Sequence, residues 1–224
     1  MNDAQAHVTA FWNAVASDYE AHGGNVAQYD TGAYQHWVEA LAGVLPAPPA
    51  DVLDVATGTG YVALAAAGLG HNVTAIDLSP PMLDELRAHA LDRSLNVDAR
   101  IGDAVAPEFA PGCFDAVTNR HLLWTLPEPD KAMANWLMLL RPGGQLVAVD
   151  GFWFAGSNEG AVPPLFAQHY TPATKDALPF MHLDRPDPIV EMLCSVGFVN
   201  VTAEPRPELA LDSGVPYFFM ATRP

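Results

Sequence analysis

Apolar residues run through Val52-Leu53 and Val55-Ala56, break at Thr57-Gly58-Thr59-Gly60, and resume from Val62 to Leu69. A short apolar run bounded by turn residues predicts a buried strand over Asp51–Ala56. The turn opens a helix, Tyr61 through Leu69, which Gly70 can close in a left-handed cap. The alternation then repeats. Asn72–Asp77, with β-branched Val73, Thr74 and Ile76, predicts a second strand, and Ser79-Pro80-Pro81 can cap a helix to about Leu91 with Met82, Leu83, Leu86 and Ala90 on its apolar face. Val97–Gly102 and Phe114–Asn119 read as strands three and four. A helix beginning in Pro127-Glu128-Pro129-Asp130 turns Met133, Trp136, Leu137 and Leu140 inward. Arg141-Pro142-Gly143-Gly144 stops it, with a cation at the negative helix end, and Gln145–Asp150 is strand five. Strands alternating with helices imply a parallel, doubly wound α/β sheet.

The two ends depart from this rhythm. Residues 1–49 look helical and aromatic-rich, with Phe11, Trp12, Tyr19, Tyr29, Tyr34 and Trp37. A break is expected at Gly23-Gly24, and a second helix over about Tyr34 to Leu45. This leader either closes over a site as a lid, with Tyr19 and Tyr29 as its polar-tipped members, or packs against the sheet edge. The core domain then occupies residues 50–224. From Gly151 to Arg185 the pattern dissolves into Gly, Pro and aromatics. A segment of that length at the carboxyl end of a strand is expected to act as a substrate cap, against the alternative of a surface excursion with a short helix of its own. Asp187-Pro188 caps a helix to Ser195 closed by Gly197. Phe198–Glu204 and Pro216–Thr222 are the last two strands. Their connection is too short for a crossover helix, so they should pair antiparallel and complete seven strands.

Strand, glycine turn and helix in that order form the entrance to a Rossmann-like nucleotide site. Glycine suits the turn because it is tight and no Cβ may stand between backbone and ligand. Asp77, ending the next strand, is placed to accept hydrogen bonds from both ribose hydroxyls of an adenosine.

Charge narrows the ligands. With 26 acids against ten Lys and Arg, the net charge is −16. The average field repels a polyanion and no basic cluster appears, so nucleic acid is disfavoured and a small neutral or cationic molecule fits better. Cys113 and Cys194 show no metal-type spacing and read as reduced core thiols. The N-terminus has no basic and apolar leader and no run approaches membrane-spanning length, so the chain is expected in the cytoplasm, as monomer or homodimer.

Asp54-x-x-x-Gly58-x-Gly60, Asp77, Gly102-Asp103-Ala104, Arg141-Pro142-Gly143-Gly144 and the terminal antiparallel pair together resemble the class I S-adenosylmethionine-dependent methyltransferases. The likeness is nearest to the branch of ubiquinone/menaquinone-biosynthesis and other small-molecule enzymes. It covers about residues 50–150 strongly, the last two strands moderately, and the leader and cap thinly. The resemblance implies S-adenosylmethionine as cofactor. Backbone around Ala56-Thr57-Gly58, with Gly60 completing the turn, would hold its methionine end, and Tyr19 would close on it from the leader. Asp77 would take the ribose, Leu78 and Met82 would flank the adenine, and Asp103 and the Ala104 N–H would meet the adenine edge. Asn119 would lie near the amino group and the transferred methyl. Many members carry glycine where Ala56 stands. Gly58-Thr59-Gly60-Tyr61-Val62-Ala63 also satisfies the dinucleotide pattern, which makes NAD the rival. Asp54 argues against it, as a carboxylate close to where a pyrophosphate would sit.

Methyl transfer from a sulfonium is an in-line displacement, for which the protein supplies alignment and desolvation. A base is needed only where the acceptor must lose a proton. His121 is the candidate, with His169 and His182 as alternatives, and a hydrogen-bonded structural role is the competing account of each. Arg120 pairs with a neighbouring acid or anchors a substrate carboxylate. Trp124, Trp153, Phe152 and Phe154 wall an apolar substrate or belong to the core. The expected activity is O- or N-methylation of a small molecule, with a quinone-type C-methyltransferase or a non-catalytic S-adenosylmethionine-binding protein as alternatives.

Overall fold

The computed structural model describes residues 3–19, 32–155, 163–210 and 214–224. The expectations for Gly23-Gly24 and Tyr29 fall outside these residues. Strand β1 (Asp51–Val55) is buried along Val52–Val55, as its apolar run requires, and lies in the interior of a seven-stranded sheet. The others are β2 (Asn72–Asp77), β3 (Val97–Ile101), β4 (Phe114–Arg120), β5 (Leu140–Asp150), β6 (Val199–Pro205) and β7 (Tyr217–Thr222). The order is β3-β2-β1-β4-β5-β7-β6. Strands β1 to β5 pair in parallel, and β7 runs antiparallel between β5 and β6. Chain order therefore reverses between β1 and β4, which makes a crevice at their carboxyl ends.

Helices cover both faces. Among the described residues, α1 (Asp3–Val15), α2 (Gly32–Ala42), α3 (Tyr61–Gly68), α4 (Pro80–Asp92), α5 (Pro129–Leu139), α6 (Pro164–His169), α7 (Pro172–Asp176) and α8 (Asp187–Val196) follow in chain order. One core holds Trp37, Val62, Leu64, Leu86 and Phe218; the other holds Leu53, Val117, Met133, Trp136 and Leu193. Ser79 caps α4, its hydroxyl accepting the Met82 N–H at 3.3 Å, and Gly70 and Gly197 close α3 and α8 at positive φ. A third, separate cluster joins Val8 of α1 to Trp124, Tyr170, Leu178 and Met181, with Phe11, Trp12, Phe154 and Phe166 packed around it. It unites α1 with the segment after β5, where α6 and α7 lie.

Three local expectations are corrected. The second leader helix spans Gly32–Ala42 rather than ending at Leu45. Strand β5 starts at Leu140, so Arg141-Pro142-Gly143-Gly144 forms its irregular head opposite a register shift in β4. Arg141 does not serve a helix end there; it pairs with Asp51 at 2.9 Å and Asp115 at 2.6 Å, clamping the starts of β1 and β4. Of the two thiols, Cys113 is half-buried and Cys194 is exposed on α8, because the latter falls on that helix's solvent face. No helix among the described residues is long and apolar enough to cross a membrane.

Candidate active site

The crevice opens into a cavity walled by the carboxyl ends of β1, β2 and β4, the loop after β3 and one face of α1. Its floor is the turn after β1. Ala56 adopts φ 52° and Gly58 φ 56°, both left-handed, a conformation that glycine adopts without strain. The Asp77 carboxylate anchors this turn. It accepts the Gly58 N–H at 2.9 Å and the Ser79 N–H at 2.8 Å, while burial raises its pKa. Each oxygen keeps a lone pair for a further donor. Leu78, Ser79 and Met82 continue the wall.

Gly102, Asp103 and Ala104 form the adjacent wall. A Cβ on Gly102 would approach Ile76 at 3.0 Å, so glycine allows β3 to leave the sheet close to β2. Asp103 accepts the Val105 N–H at 2.8 Å. Helix α5 fixes the loop from behind: the Trp136 indole donates to the Ala104 carbonyl at 2.8 Å and Asn135 to that of Val105 at 2.7 Å. The fully buried Trp136 thus fills the core and sets the site in one side chain.

Arg120 and His121 line the cavity where β4 ends. His121 sits at φ 56° with its N–H donating to Val149 at 2.8 Å, and its ring meets Trp153 edge-on at 5.0 Å. Nε2 is buried without a hydrogen-bond partner. Burial, then the charge of Arg120, holds its pKa well below 6.5, so the imidazole is neutral. The expected pairing of Arg120 with an acid is not formed; its guanidinium lies over Tyr61 at 4.3 Å and Trp37 at 5.1 Å.

Other anticipated residues stand behind the wall. Thr57 donates to Asp54 at 2.6 Å, and Thr118 to the same carboxylate at 2.7 Å. Asp54 is therefore a buried staple between β1, β4 and the turn, its pKa raised to about 6 by burial; it is absent from the cavity lining, so its charge does not weigh against NAD. Gly60 meets Leu86 rather than the cavity. Asn119 is fully buried, with neither amide atom hydrogen-bonded. Trp124 stacks on Tyr170 at 5.4 Å, Trp153 donates to Asp150, and His169 packs near His7 and Phe11. None of these reaches the cavity lining.

In the remaining wall Tyr19 alone was expected. Gln5, Val8, Thr9 and Trp12 come from α1, joined by Tyr19, whose ring packs on Trp12 at 5.7 Å. Their spacing of three, four and seven residues marks one helix face, a signal present in the sequence. Leu122, Thr125 and Leu126 come from the loop after β4.

The family model described as a methyltransferase domain matches residues 53–148, the stretch that supplies the turn, Asp77, Asp103 and the end of β4. Residues 53–148 are thus similar to a methyltransferase domain, and the strand order around them is that of the Rossmann-like methyltransferase fold. The chain is 40% identical over 112 residues to a ubiquinone biosynthesis O-methyltransferase of Xanthomonas campestris pv. campestris (strain B100), covering 49% of this chain and 46% of that enzyme. It thus spans about half the length of the curated relatives it matches. In fold it is similar to Haemonchus contortus phosphoethanolamine N-methyltransferase 2 in complex with S-adenosyl-L-methionine, at TM-score 0.64 and 19% identity over 84% of this chain and 52% of that one. The [4+2]-cyclase SpnF is similar over 100% of this chain and 97% of its own, at TM-score 0.72 and 17% identity.

Proposed function

We propose that this methyltransferase domain binds S-adenosylmethionine in the crevice between β1 and β4 and serves methylation of an oxygen or nitrogen of a small molecule. The observation that carries the reading is Asp77: a carboxylate fixed by two amides at the head of a cavity, beside the left-handed turn of Ala56 and Gly58. That arrangement fits a ribose, with Leu78 and Met82 against an adenine and Asp103 and Ala104 at its edge. Thr57 and Gly60 hold the turn, and Asn119 supports the end of β4. The cofactor supplies a methyl group activated by a sulfonium.

The chain's own residues would then align an acceptor and exclude water. The α1 face and Tyr19 act as a lid, and the segment 151–185 as a cap. His121, neutral and unpartnered at Nε2, is the base for a hydroxyl acceptor. Similarity to an enzyme named as an O-methyltransferase favours oxygen over nitrogen and over the quinone-type carbon alternative. Trp124, Trp153 and His169 shape the acceptor end only through what they support.

Calorimetric titration with S-adenosylmethionine, S-adenosylhomocysteine and NAD tests the cofactor. Binding of the first two alone, followed by methylation in a panel of small phenols and amines, supports the proposal. Binding of NAD alone overturns it.

A further inference from the structure

Arg120 lacks the acid partner that most basic residues of this chain have. In a chain of net charge −16, Arg87, Arg100, Lys131, Arg141, Arg185 and Arg206 each hold a carboxylate within 4.0 Å. Among the described residues Arg120 holds none, although acids outnumber cations by 26 to ten; Arg223, also without a carboxylate, spends its donors on the Met138 and Leu140 carbonyls. Arg120 is also the one Lys or Arg among the described residues of the cavity wall.

Its seating preserves its donors. The guanidinium rests in the corner made by Tyr61 and Trp37, rings that meet edge-on at 5.7 Å. Aromatic faces stabilise the charge without consuming its N–H groups. Nε is buried and unbonded, and a desolvated donor left unpaired is costly. Asp77 and Asp103, at the ends of β2 and β3, line the cavity on the other side of β1 from β4. The cavity is therefore bipolar, with two acids at one side and one preorganised, unsatisfied cation at the other.

We infer that Arg120 is a carboxylate receptor, its guanidinium fork taking the carboxylate of a ligand bound in the cavity. A planar monoanion matches the fork in geometry. A dianionic phosphate suits the site less, because two acids share the cavity and the whole chain is strongly negative. The carboxylate comes from either the amino-acid end of the cofactor or an acceptor that is itself an acid. This inference rests on the reading of the cavity as a cofactor and acceptor site.

The test compares wild type with Arg120→Gln and Arg120→Lys by calorimetry, using three probes: S-adenosylhomocysteine, 5′-methylthioadenosine, which lacks the carboxylate, and benzoate. Arg120→Gln is expected to weaken at least one carboxylate probe tenfold or more and to change methylthioadenosine less than twofold. Arg120→Lys should recover only part of the loss, since it keeps the charge and not the fork. Loss confined to S-adenosylhomocysteine assigns the carboxylate to the cofactor, and loss confined to benzoate assigns it to the acceptor. If wild type binds benzoate and neither nucleoside, the cofactor reading fails while this one stands. Equal binding of both carboxylates to wild type and Arg120→Gln, equal loss of methylthioadenosine, or no carboxylate binding to wild type would each overturn it.

Discussion

The indole of Trp153 donates to the Asp150 carboxylate at 2.9 Å. The same carboxylate accepts the N–H of Gly151 at 2.8 Å and of Trp124 at 3.3 Å. One buried acid at the end of β5 thereby ties the start of the cap to the loop after β4, and through the Trp153 ring it braces His121.

Burial raises the Asp150 pKa from 3.8 to about 6. The folded chain therefore holds this proton more tightly than the unfolded chain. The contribution to stability is complete below the unfolded value and is lost as pH rises through about 6. Asp150→Asn has no such titration. The stability of wild type minus that of the variant should fall by up to about 3 kcal/mol between about pH 4 and pH 7, measured by urea unfolding at each pH. A constant difference would show that the carboxyl is not desolvated in the fold.

Asp77→Ala removes the acceptor that fixes Gly58 and faces the cavity. Affinity for S-adenosylhomocysteine should drop more than about tenfold, worth roughly 1.4 kcal/mol. Calorimetry showing unchanged affinity would remove Asp77 from the cofactor site.

His121→Ala should lower turnover of a hydroxyl acceptor by roughly a hundredfold or more and leave cofactor affinity nearly intact. Because the imidazole is held well below 6.5, wild-type turnover should show no decline from its protonation between about pH 8 and pH 6.5. Variant rates equal to wild type at saturation across that range would exclude His121 as the base.

A methyl added at Gly60 would lie 2.7 Å from Leu86 Cγ, at a backbone φ of 95°. Gly60→Ala should therefore cost about 1–3 kcal/mol in thermal or urea unfolding. The damage reaches the cavity only through the packing of α3 on α4.

The sheet was legible because its signals are local. The apolar run of Val52–Val55 declares a buried strand, the alternation of Val97, Ala99 and Ile101 with charged residues declares an edge strand, and the short final connection forced β6 and β7 to run antiparallel. Residue types alone could not distinguish a side chain facing the cavity from one just behind it. Asp54 and Asp77 both sit at strand ends near the glycine turn, yet one is buried under Thr57 and Thr118 and the other faces the cavity. Arg120 shows the same limit. A surplus of acids argues for a salt bridge, and only tertiary placement supplies Trp37 and Tyr61 in its stead. The contribution of α1 was available in the spacing of Gln5, Val8, Thr9 and Trp12, since helix periodicity places all four on one face.

The aromatic cluster of α1 with the post-β5 segment has a consequence for diversification. Phe11 meets Phe166 at 5.5 Å and Tyr170 at 5.4 Å, while Tyr170 bonds Thr125 at 2.8 Å. Two stretches more than a hundred residues apart are thus one mated part, and neither can drift in sequence without the other. Acceptor preference should be inherited as a pair. A chimera that imports only the leader or only the cap from a relative should misfit, whereas one that imports both should carry the donor's selectivity with it.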